Sequence, residues 1–192
     1  MADHLTKETI LDTAEQVLRR FGPEKTSVVD VARALNVSHG TIYRHFPSKA
    51  SLREAVAERW LYSISRPLEV VSKQDCSASE RLHLWLKTLI QIKHTLVKED
   101  PELFTMYTKL VEESVEAVNA HITELIKQII PIIEEGIANK EFKTSDAVTT
   151  ASAVFMATAR FHHPSLAKEW ASSNIYQEFD AVWNLILSGI MK

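Results

Sequence analysis

Glycine, proline and cysteine are all scarce in this chain of 192 residues. Four glycines and six prolines are too few for the many tight turns of a β-sandwich or barrel, so we expect long helices. The lone cysteine, Cys76, excludes an intrachain disulfide and a cluster of thiol metal ligands. No apolar run is long enough to span a membrane, and the first ten residues lack the apolar core of a signal peptide. We therefore expect a soluble, cytoplasmic protein that has no membrane partner.

The chain also lacks a large excess of either charge, with a formal net charge of -3. Residues 1–60 carry nine Lys and Arg against eight Asp and Glu, whereas residues 61–192 carry thirteen against seventeen. The first part is thus only mildly basic. Any contact that it makes with nucleic-acid phosphates must come from individually placed side chains, because the field of the whole domain is weak.

An apolar stripe at helical spacing predicts a first helix over residues 5–21. The stripe consists of Ile10, Ala14, Val17, Leu18 and Phe21. Gly22 and Pro23 end this helix in the usual order, because glycine tolerates left-handed backbone and proline cannot continue a helix. A second helix follows from Ser27, whose spacing to Asp30 is that of a capping box.

The stretch VSHGTIYRHF, residues 37–46, predicts a short third helix. Ser38 suits its N-cap and Pro47 requires it to stop. Ile42 and Phe46 lie four residues apart and can pack on the first two helices. Two helices joined by a turn of three or four residues can place the second one in a DNA major groove. A plain helical hairpin inside a bundle would show the same spacing.

The outer face of this third helix carries side chains that can recognise DNA. Arg44 can form two hydrogen bonds with a guanine, and His39 can donate to or accept from a base edge. Gly40 costs about 1 kcal/mol relative to alanine in a helix interior, which is understandable if DNA approaches the backbone there. Side chains suited to phosphate oxygens lie on the same stretch and at the start of a fourth helix, which Ser48 can cap: Thr41, Tyr43, His45 and Lys49.

Residues 10–56 resemble the N-terminal helix-turn-helix region of the TetR family of transcriptional regulators. The resemblance includes the motif T-S-x-x-D-x-A at residues 26–32 and the motif V-S-x-G-T-x-Y-x-x-F-x-S-K at residues 37–49. It implies an all-α fold, with a three-helix helix-turn-helix DNA-binding domain over residues 1–60. A larger helical domain over residues 61–192 would bind an effector and form a dimer.

The resemblance further implies a ligand-responsive transcriptional regulator, most often a repressor. Such a protein binds a palindromic operator in double-stranded DNA as a homodimer, is released by a small-molecule effector and needs no cofactor. By position, His39, Gly40 and Arg44 would face bases from a helix that begins after Ser38. The residues that would contact phosphates are Thr26, Ser27, Thr41, Tyr43, His45 and Lys49.

The remainder of the chain predicts further helices, separated at Pro101 and near Gly136, with a kink or break near Pro131. The domain boundary is expected at residues 60–70, where Pro67 would interrupt the fourth helix. Aromatic and polar groups on the middle helices are the candidates for effector binding, although each is equally consistent with a core position: Trp85, Phe104, Tyr107, Glu113 and Phe155. The acidic residues near Glu113 would favour a cationic ligand only if one of them points inward.

The final helix has a broad apolar face that suits a four-helix dimer interface, although the core of a monomer could use the same stripe. Its candidate interface residues are Phe179, Trp183, Ile186 and Leu187. The adjacent His162 and His163 do not share a helical face and have no nearby partner at ligand spacing, so we expect no metal site.

Two other classes of function are weighed against this one. A DNA-binding regulator whose C-terminal domain binds a protein partner, or no ligand, stays open on the sequence. An enzyme is not expected, because the chain shows no pairing of a nucleophile with a base, no glycine-rich phosphate loop and no set of metal ligands.

Overall fold

A computed structural model of the chain describes residues 5–192, which form α-helices joined by short connections. In chain order the helices are α1 Lys7–Phe21, α2 Val28–Ala34, α3 His39–His45, α4 Lys49–Val71, α5 Ala78–Glu99, α6 Pro101–Glu112, α7 Val115–Ala138, α8 Ala147–Ala157 and α9 Ile175–Ile190. Two 3₁₀ segments, Ala159–Phe161 and Pro164–Ala171, lie between α8 and α9. An isolated β-bridge joins Phe142 to Met191. The predicted all-α fold is confirmed.

The described chain divides into two compact units. The first contains residues 5–62 and 100–119, and the second contains residues 63–99 and 120–192. α6 therefore belongs to the same unit as α1, α2 and α3, a feature that the sequence did not suggest. The boundary between domains at residues 60 and 61 stays a prediction.

The capping signals of the first unit have the geometry that the sequence predicted. Gly22 ends α1 with a φ of 79°, a left-handed backbone that few other residues adopt readily. Ser27 Oγ accepts a hydrogen bond from Asp30 N at 3.3 Å, and Ser27 N donates to Asp30 Oδ2 at 3.0 Å. Ser38 Oγ accepts from Thr41 N at 3.2 Å. These contacts fix where α2 and α3 begin.

The predicted apolar stripe of α1 is buried with one exception. Ile10, Ala14 and Leu18 are almost completely buried, whereas Phe21 is 49% exposed. Phe21 is exposed because it is the last residue of α1 and the chain turns away at Gly22. The Arg20 guanidinium lies 5.2 Å from the centre of the Phe21 ring.

Two prolines that were expected to interrupt helices lie inside them. Pro67 is within α4 and Pro131 is within α7, and each helix continues beyond its proline. A proline removes one backbone donor from the helical ladder and crowds the preceding turn. Both residues are exposed in helices of 23 and 24 residues. The remaining turns maintain each helix, so the expected interruption at Pro67 and the expected break near Pro131 were wrong; a kink near Pro131 stays a prediction.

Helix α6 packs on α4 within the first unit. The rings of Trp60 and Tyr107 stack with centres 4.7 Å apart and planes within 3° of parallel, and Phe104 meets Trp60 edge-on at 6.2 Å. Burial raises the pKa of the Tyr107 hydroxyl. Arg53 Nη2 lies 2.6 Å from Glu113 Oε2. These contacts attach α6 to the helix that follows α3.

Helices α5 and α7 are joined by polar contacts inside the second unit. Trp85 Nε1 donates to Gln128 Oε1 at 3.1 Å, and Gln128 Nε2 donates to the Ser65 carbonyl at 3.2 Å. The Arg81 guanidinium forms two hydrogen bonds with Glu135, at 2.6 and 3.1 Å. Because these groups are mostly buried, their pairing fixes the register of α5 against α7.

Candidate functional site

A tight turn joins α2 to α3. It covers residues 35–37, and Asn36 adopts a left-handed backbone with a φ of 54°, which asparagine tolerates better than most residues. Val37 N donates to the Ala32 carbonyl at 3.0 Å. Counting the N-cap Ser38, the chain passes from α2 to α3 through four residues, within the three or four that the sequence predicted.

Helix α3 has one buried and one exposed face. Ile42 is fully buried and Phe46, at the end of the helix, is 5% exposed. These two residues attach the helix to the first unit. The opposite face is open to solvent and presents His39, Gly40, Tyr43 and Arg44. The predicted division of α3 into two anchors and a polar outer face is confirmed.

The Arg44 guanidinium has little to hold it within the protein. Its Nη2 lies 3.4 Å from Thr41 Oγ1, a weak hydrogen bond, and no carboxylate among residues 5–192 forms an ion pair with it. Thr41 Oγ1 is itself 2.9 Å from Ser38 Oγ. Arg44 is therefore free to form bidentate hydrogen bonds with an external acceptor.

His39, His45 and Lys49, which were also predicted to contact DNA, differ in exposure and in their neighbours. His39 meets Tyr43 edge-on, with ring centres 6.3 Å apart, and His45 is half-buried. Lys49 is exposed at the first residue of α4, and its Nζ lies 3.5 Å from the Glu24 carbonyl. These groups all lie within residues 39–49 of the first unit.

Thr26 and Ser27, the two predicted phosphate contacts at the start of α2, form hydrogen bonds within the protein. Thr26 is 5% exposed, its Oγ1 donates to the Gly22 carbonyl at 2.8 Å, and its N donates to the same carbonyl at 3.2 Å. We therefore do not assign a phosphate contact to the Thr26 side chain. Ser27 is half-buried, and its hydroxyl donates to Asp30 Oδ2 at 2.6 Å. That hydrogen bond lowers the pKa of the Asp30 carboxyl.

The charge of this region is more one-sided than the domain total suggests. Residues 31–53 contain four Lys and Arg, two His and no Asp or Glu. They cover the end of α2, the turn, α3 and the start of α4. Arg33 forms an ion pair with Asp30 and Arg53 with Glu113, so Arg44 and Lys49 are the basic side chains of this segment without an ion pair among the described residues. A count over a short window of the sequence would have found the excess of basic residues.

A pair of helices joined by four residues, with an exposed polar face on the second helix and unpaired basic side chains beside it, is the arrangement of a helix-turn-helix DNA-binding protein. Comparison with family models agrees. Residues 10–56 match the model described as bacterial regulatory proteins, tetR family, and residues 78–183 match the tetracyclin repressor-like C-terminal domain. The second match spans more than half of the chain. The chain belongs to the TetR family and is a DNA-binding transcriptional regulator, not an enzyme.

Relatives of the chain include an uncharacterized HTH-type transcriptional regulator, YhgD of Bacillus subtilis, which is 26% identical over 151 residues that cover 76% of each chain. Among solved structures, a TetR-family regulator from Mesorhizobium loti matches with a TM-score of 0.71 and 17% identity, over 97% of this chain and 96% of the other. The regulator FadR from Bacillus subtilis, in complex with stearoyl-CoA, matches with a TM-score of 0.68 and 20% identity, over 96% and 100%. At these identities the structural matches support the fold.

The five predicted effector residues are divided between the two units. Phe104, Tyr107 and Glu113 belong to the first unit, where they pair with Trp60 and Arg53 as described above. Trp85 and Phe155 belong to the second unit and are both buried. Because Glu113 already forms an ion pair with Arg53, it is a poor candidate for binding a cationic ligand. A recess of about 370 Å³ along α5 is lined by none of the five; its lining residues are Thr88, Gln91, Ile92, Thr95 and Leu96.

Two of the predicted interface residues on α9 are core residues of this chain. Phe179 is 1% exposed and contacts Phe161 edge-on at 5.4 Å, and Trp183 stacks on His83 at 4.8 Å. Their apolar surface is used inside the second unit, so their assignment to a dimer interface was wrong. Ile186 and Leu187 are half-buried.

The paired histidines before Pro164 have separate environments. His162 is 2% exposed, and its Nε2 lies 3.2 Å from the Phe155 carbonyl, whereas His163 is exposed. No group of three or more His, Cys, Asp or Glu within residues 5–192 is arranged to hold a metal ion. Over the same residues no helix has the length and apolar character needed to cross a membrane.

Proposed function

We propose that the protein is a ligand-responsive transcriptional repressor that binds a palindromic operator as a homodimer in the cytoplasm. The observation that carries this proposal is the exposed polar face of α3, held to the first unit by Ile42 and Phe46. A helix anchored in this way can enter a major groove without unfolding any part of the core.

We assign base contacts to the N-terminal and middle parts of α3. Arg44 would donate two hydrogen bonds to guanine O6 and N7, and its guanidinium has no acidic partner among the described residues. His39 would lie beside a base edge. Gly40 would let the DNA approach the helix backbone, since the space beside its Cα is open: a Cβ atom there would meet only Ser38 Oγ, at 3.8 Å.

Phosphate contacts would fix the register of α3 in the groove. Thr41, Tyr43 and His45 lie beside the base-reading residues, and Lys49 stands at the start of α4. The N-terminus of a helix attracts anions, and Lys49 adds its charge to that end. Ser27 and Ser38 would contribute hydroxyl or backbone donors at the starts of α2 and α3. These contacts would set affinity and salt dependence, not sequence preference.

We assign the dimer interface to the exposed apolar residues of α8 and α9. Val148 and Met156 on α8 are 57% and 72% exposed, and Leu185 on α9 is 75% exposed. Apolar side chains of this size are unfavourable in water and suit a contact with a second copy of the chain. Replacing Leu185 by Glu should shift the protein from dimer to monomer in analytical ultracentrifugation, and an unchanged dimer would reject this interface.

Release of DNA would follow from a small molecule bound in the second unit. FadR of Bacillus subtilis was solved in complex with stearoyl-CoA, so a similar fold holds such a ligand in that protein. Coupling between the two sites is reciprocal: an effector that lowers DNA affinity must itself bind more weakly when DNA is bound.

Selection of bound sequences from random duplex DNA tests the proposal. We expect enrichment of two inverted half-sites whose centres are one helical turn apart, about 10–10.5 base pairs, or a multiple of that spacing. No enriched sequence would contradict specific DNA binding. An enriched sequence without two-fold symmetry would contradict the dimeric mode of binding.

A further inference from the structure

A lysine occupies the buried stripe of α5. Leu86, Leu89 and Ile90 are fully or almost fully buried, and Lys93 follows at the next position of the same stripe with 6% exposure. An aliphatic residue is expected there. Long lysine side chains at the edge of a core usually extend their ammonium group to water, and Lys93 keeps only 6% of its surface exposed for that purpose.

The Lys93 ammonium has no partner among residues 5–192. No hydrogen bond or ion pair to it is formed by the described side chains or backbone. Burial alone lowers the pKa of Lys93 to about 8, with no carboxylate close enough to oppose that effect. The group is therefore still mostly protonated near neutral pH, as a largely buried positive charge without a counter-charge among the described residues. Such a charge destabilises a protein unless an anion pairs with it.

The groups that face Lys93 from neighbouring elements are also basic. His121 on α7 is half-buried, and its Nε2 is buried without a hydrogen-bond partner. His162, after the first 3₁₀ segment, is buried and packs against Phe155 with ring centres 4.6 Å apart. Burial, and next the charge of Lys93, lower the pKa of both histidines to about 3.

We propose that Lys93 is the anchor of an effector site that takes an organic acid, with its carboxylate on the ammonium and its apolar body among the buried side chains of the second unit. This proposal deepens the proposed function and rests on it. His121 Nε2 can supply a second hydrogen bond to the carboxylate. Phe155, which the sequence also suggested as an effector residue, belongs to the apolar part of the site.

The two helices that carry Lys93 and His121 are joined by a segment of the first unit, the unit that contains α3. Lys93 lies on α5 and His121 on α7, and the segment between these helices, residues 100–119, belongs to the first unit. A ligand that moves α5 or α7 would displace at least one end of the segment that carries α6.

The test compares thermal stability of three full-length proteins: wild type, Lys93→Met and Lys87→Met. Methionine keeps the length of the lysine stem and removes the charge. Lys87 is an exposed lysine on the same helix and serves as the matched control. Without any ligand, Lys93→Met should raise Tm by about 4 °C or more, and Lys87→Met should leave it nearly unchanged. A lower Tm for Lys93→Met would show that Lys93 is a structural residue and would overturn the proposal.

The probes are benzoate and decanoate, with decanol as the uncharged match for decanoate. At least one of the two acids should raise the Tm of wild type and Lys87→Met, and bind Lys93→Met about tenfold more weakly in calorimetry, the ratio that 1.4 kcal/mol provides. Decanol should not distinguish the three proteins. The proposal is overturned if neither acid raises the wild-type Tm, or if an acid stabilises wild type and Lys93→Met equally.

A parallel DNA-binding measurement separates this proposal from the proposed function. Lys93→Met should bind the selected operator as wild type does, and its release should require about tenfold more of the acid than release of wild type. If no operator is bound by any of the proteins, the proposed function fails, while the stability measurements still decide whether Lys93 holds an organic acid.

Discussion

Replacing Gly40 by alanine should make the free protein more stable and its DNA complex weaker. Gly40 lies in the first turn of α3 and is exposed. A Cβ atom added there would meet only Ser38 Oγ, at an ordinary contact distance of 3.8 Å. Nothing inside the described protein therefore requires glycine at this position. The low helix propensity of Gly40 lowers the stability of the free protein, and no contact within the described protein compensates for that loss.

The size of the effect follows from helix propensity and from the size of the chain. Glycine costs about 0.8–1.0 kcal/mol relative to alanine in a helix interior, and less in a first turn. We expect Gly40→Ala to stabilise the protein by about 0.5–1 kcal/mol, a rise in Tm of roughly 1–4 °C for a chain of this length. If the DNA approaches the backbone at Gly40, the added methyl group should weaken operator binding at least tenfold, about 1.4 kcal/mol.

The assay pairs thermal denaturation with fluorescence anisotropy on the selected operator. Gly40→Ser, which has a larger side chain, should lose at least as much DNA affinity as Gly40→Ala. Ala50→Gly, at an exposed position in the first turn of α4, serves as the control that lowers stability without adding atoms near DNA. Its operator affinity should be unchanged. Operator binding by Gly40→Ala equal to that of wild type would refute the close approach of DNA to α3 at this residue.

Two further predictions concern salt and pH. Lys49→Ala should lower affinity for any DNA sequence and reduce the slope of log affinity against log salt by about one. An unchanged slope would contradict the assignment of a phosphate contact to Lys49. Because His121 and His162 have pKa values of about 3 when folded and about 6.5 when unfolded, the unfolded state takes up protons first as pH falls. Stability should decline below pH 6.5, by up to about 1.4 kcal/mol per pH unit for each histidine, in urea titrations. A double His→Gln variant that keeps the same decline would contradict this cause.

Local signals predicted the parts of the fold that local contacts build. The caps at Ser27 and Ser38, the exit of α1 at Gly22 and the two faces of α3 depend on residues at most four positions apart. Each of these features could be identified from side-chain type and spacing. The helix-turn-helix region was predictable for the same reason.

Features that depend on distant residues were not predictable from spacing. The packing of α6 on α4 requires Tyr107 to meet Trp60, which lies far earlier in the chain. The apolar stripe of α9 could cover a monomer core or a dimer interface, and only the contacts of Phe179 and Trp183 decide between them. Lys93 was visible as a break in an apolar stripe, but its lack of a partner is a property of the folded chain.

The central claim is that the exposed face of α3 reads bases, and parallel binding isotherms for wild type and Arg44→Ala test it most directly. Each protein is titrated with the selected operator and with a scrambled duplex of the same length and composition at one salt concentration. We predict that Arg44→Ala loses about 1–3 kcal/mol on the operator and much less on the scrambled duplex, and that base preference relaxes at one position of each half-site. Equal losses on both duplexes would show that Arg44 contacts only the phosphate backbone and would contradict the account.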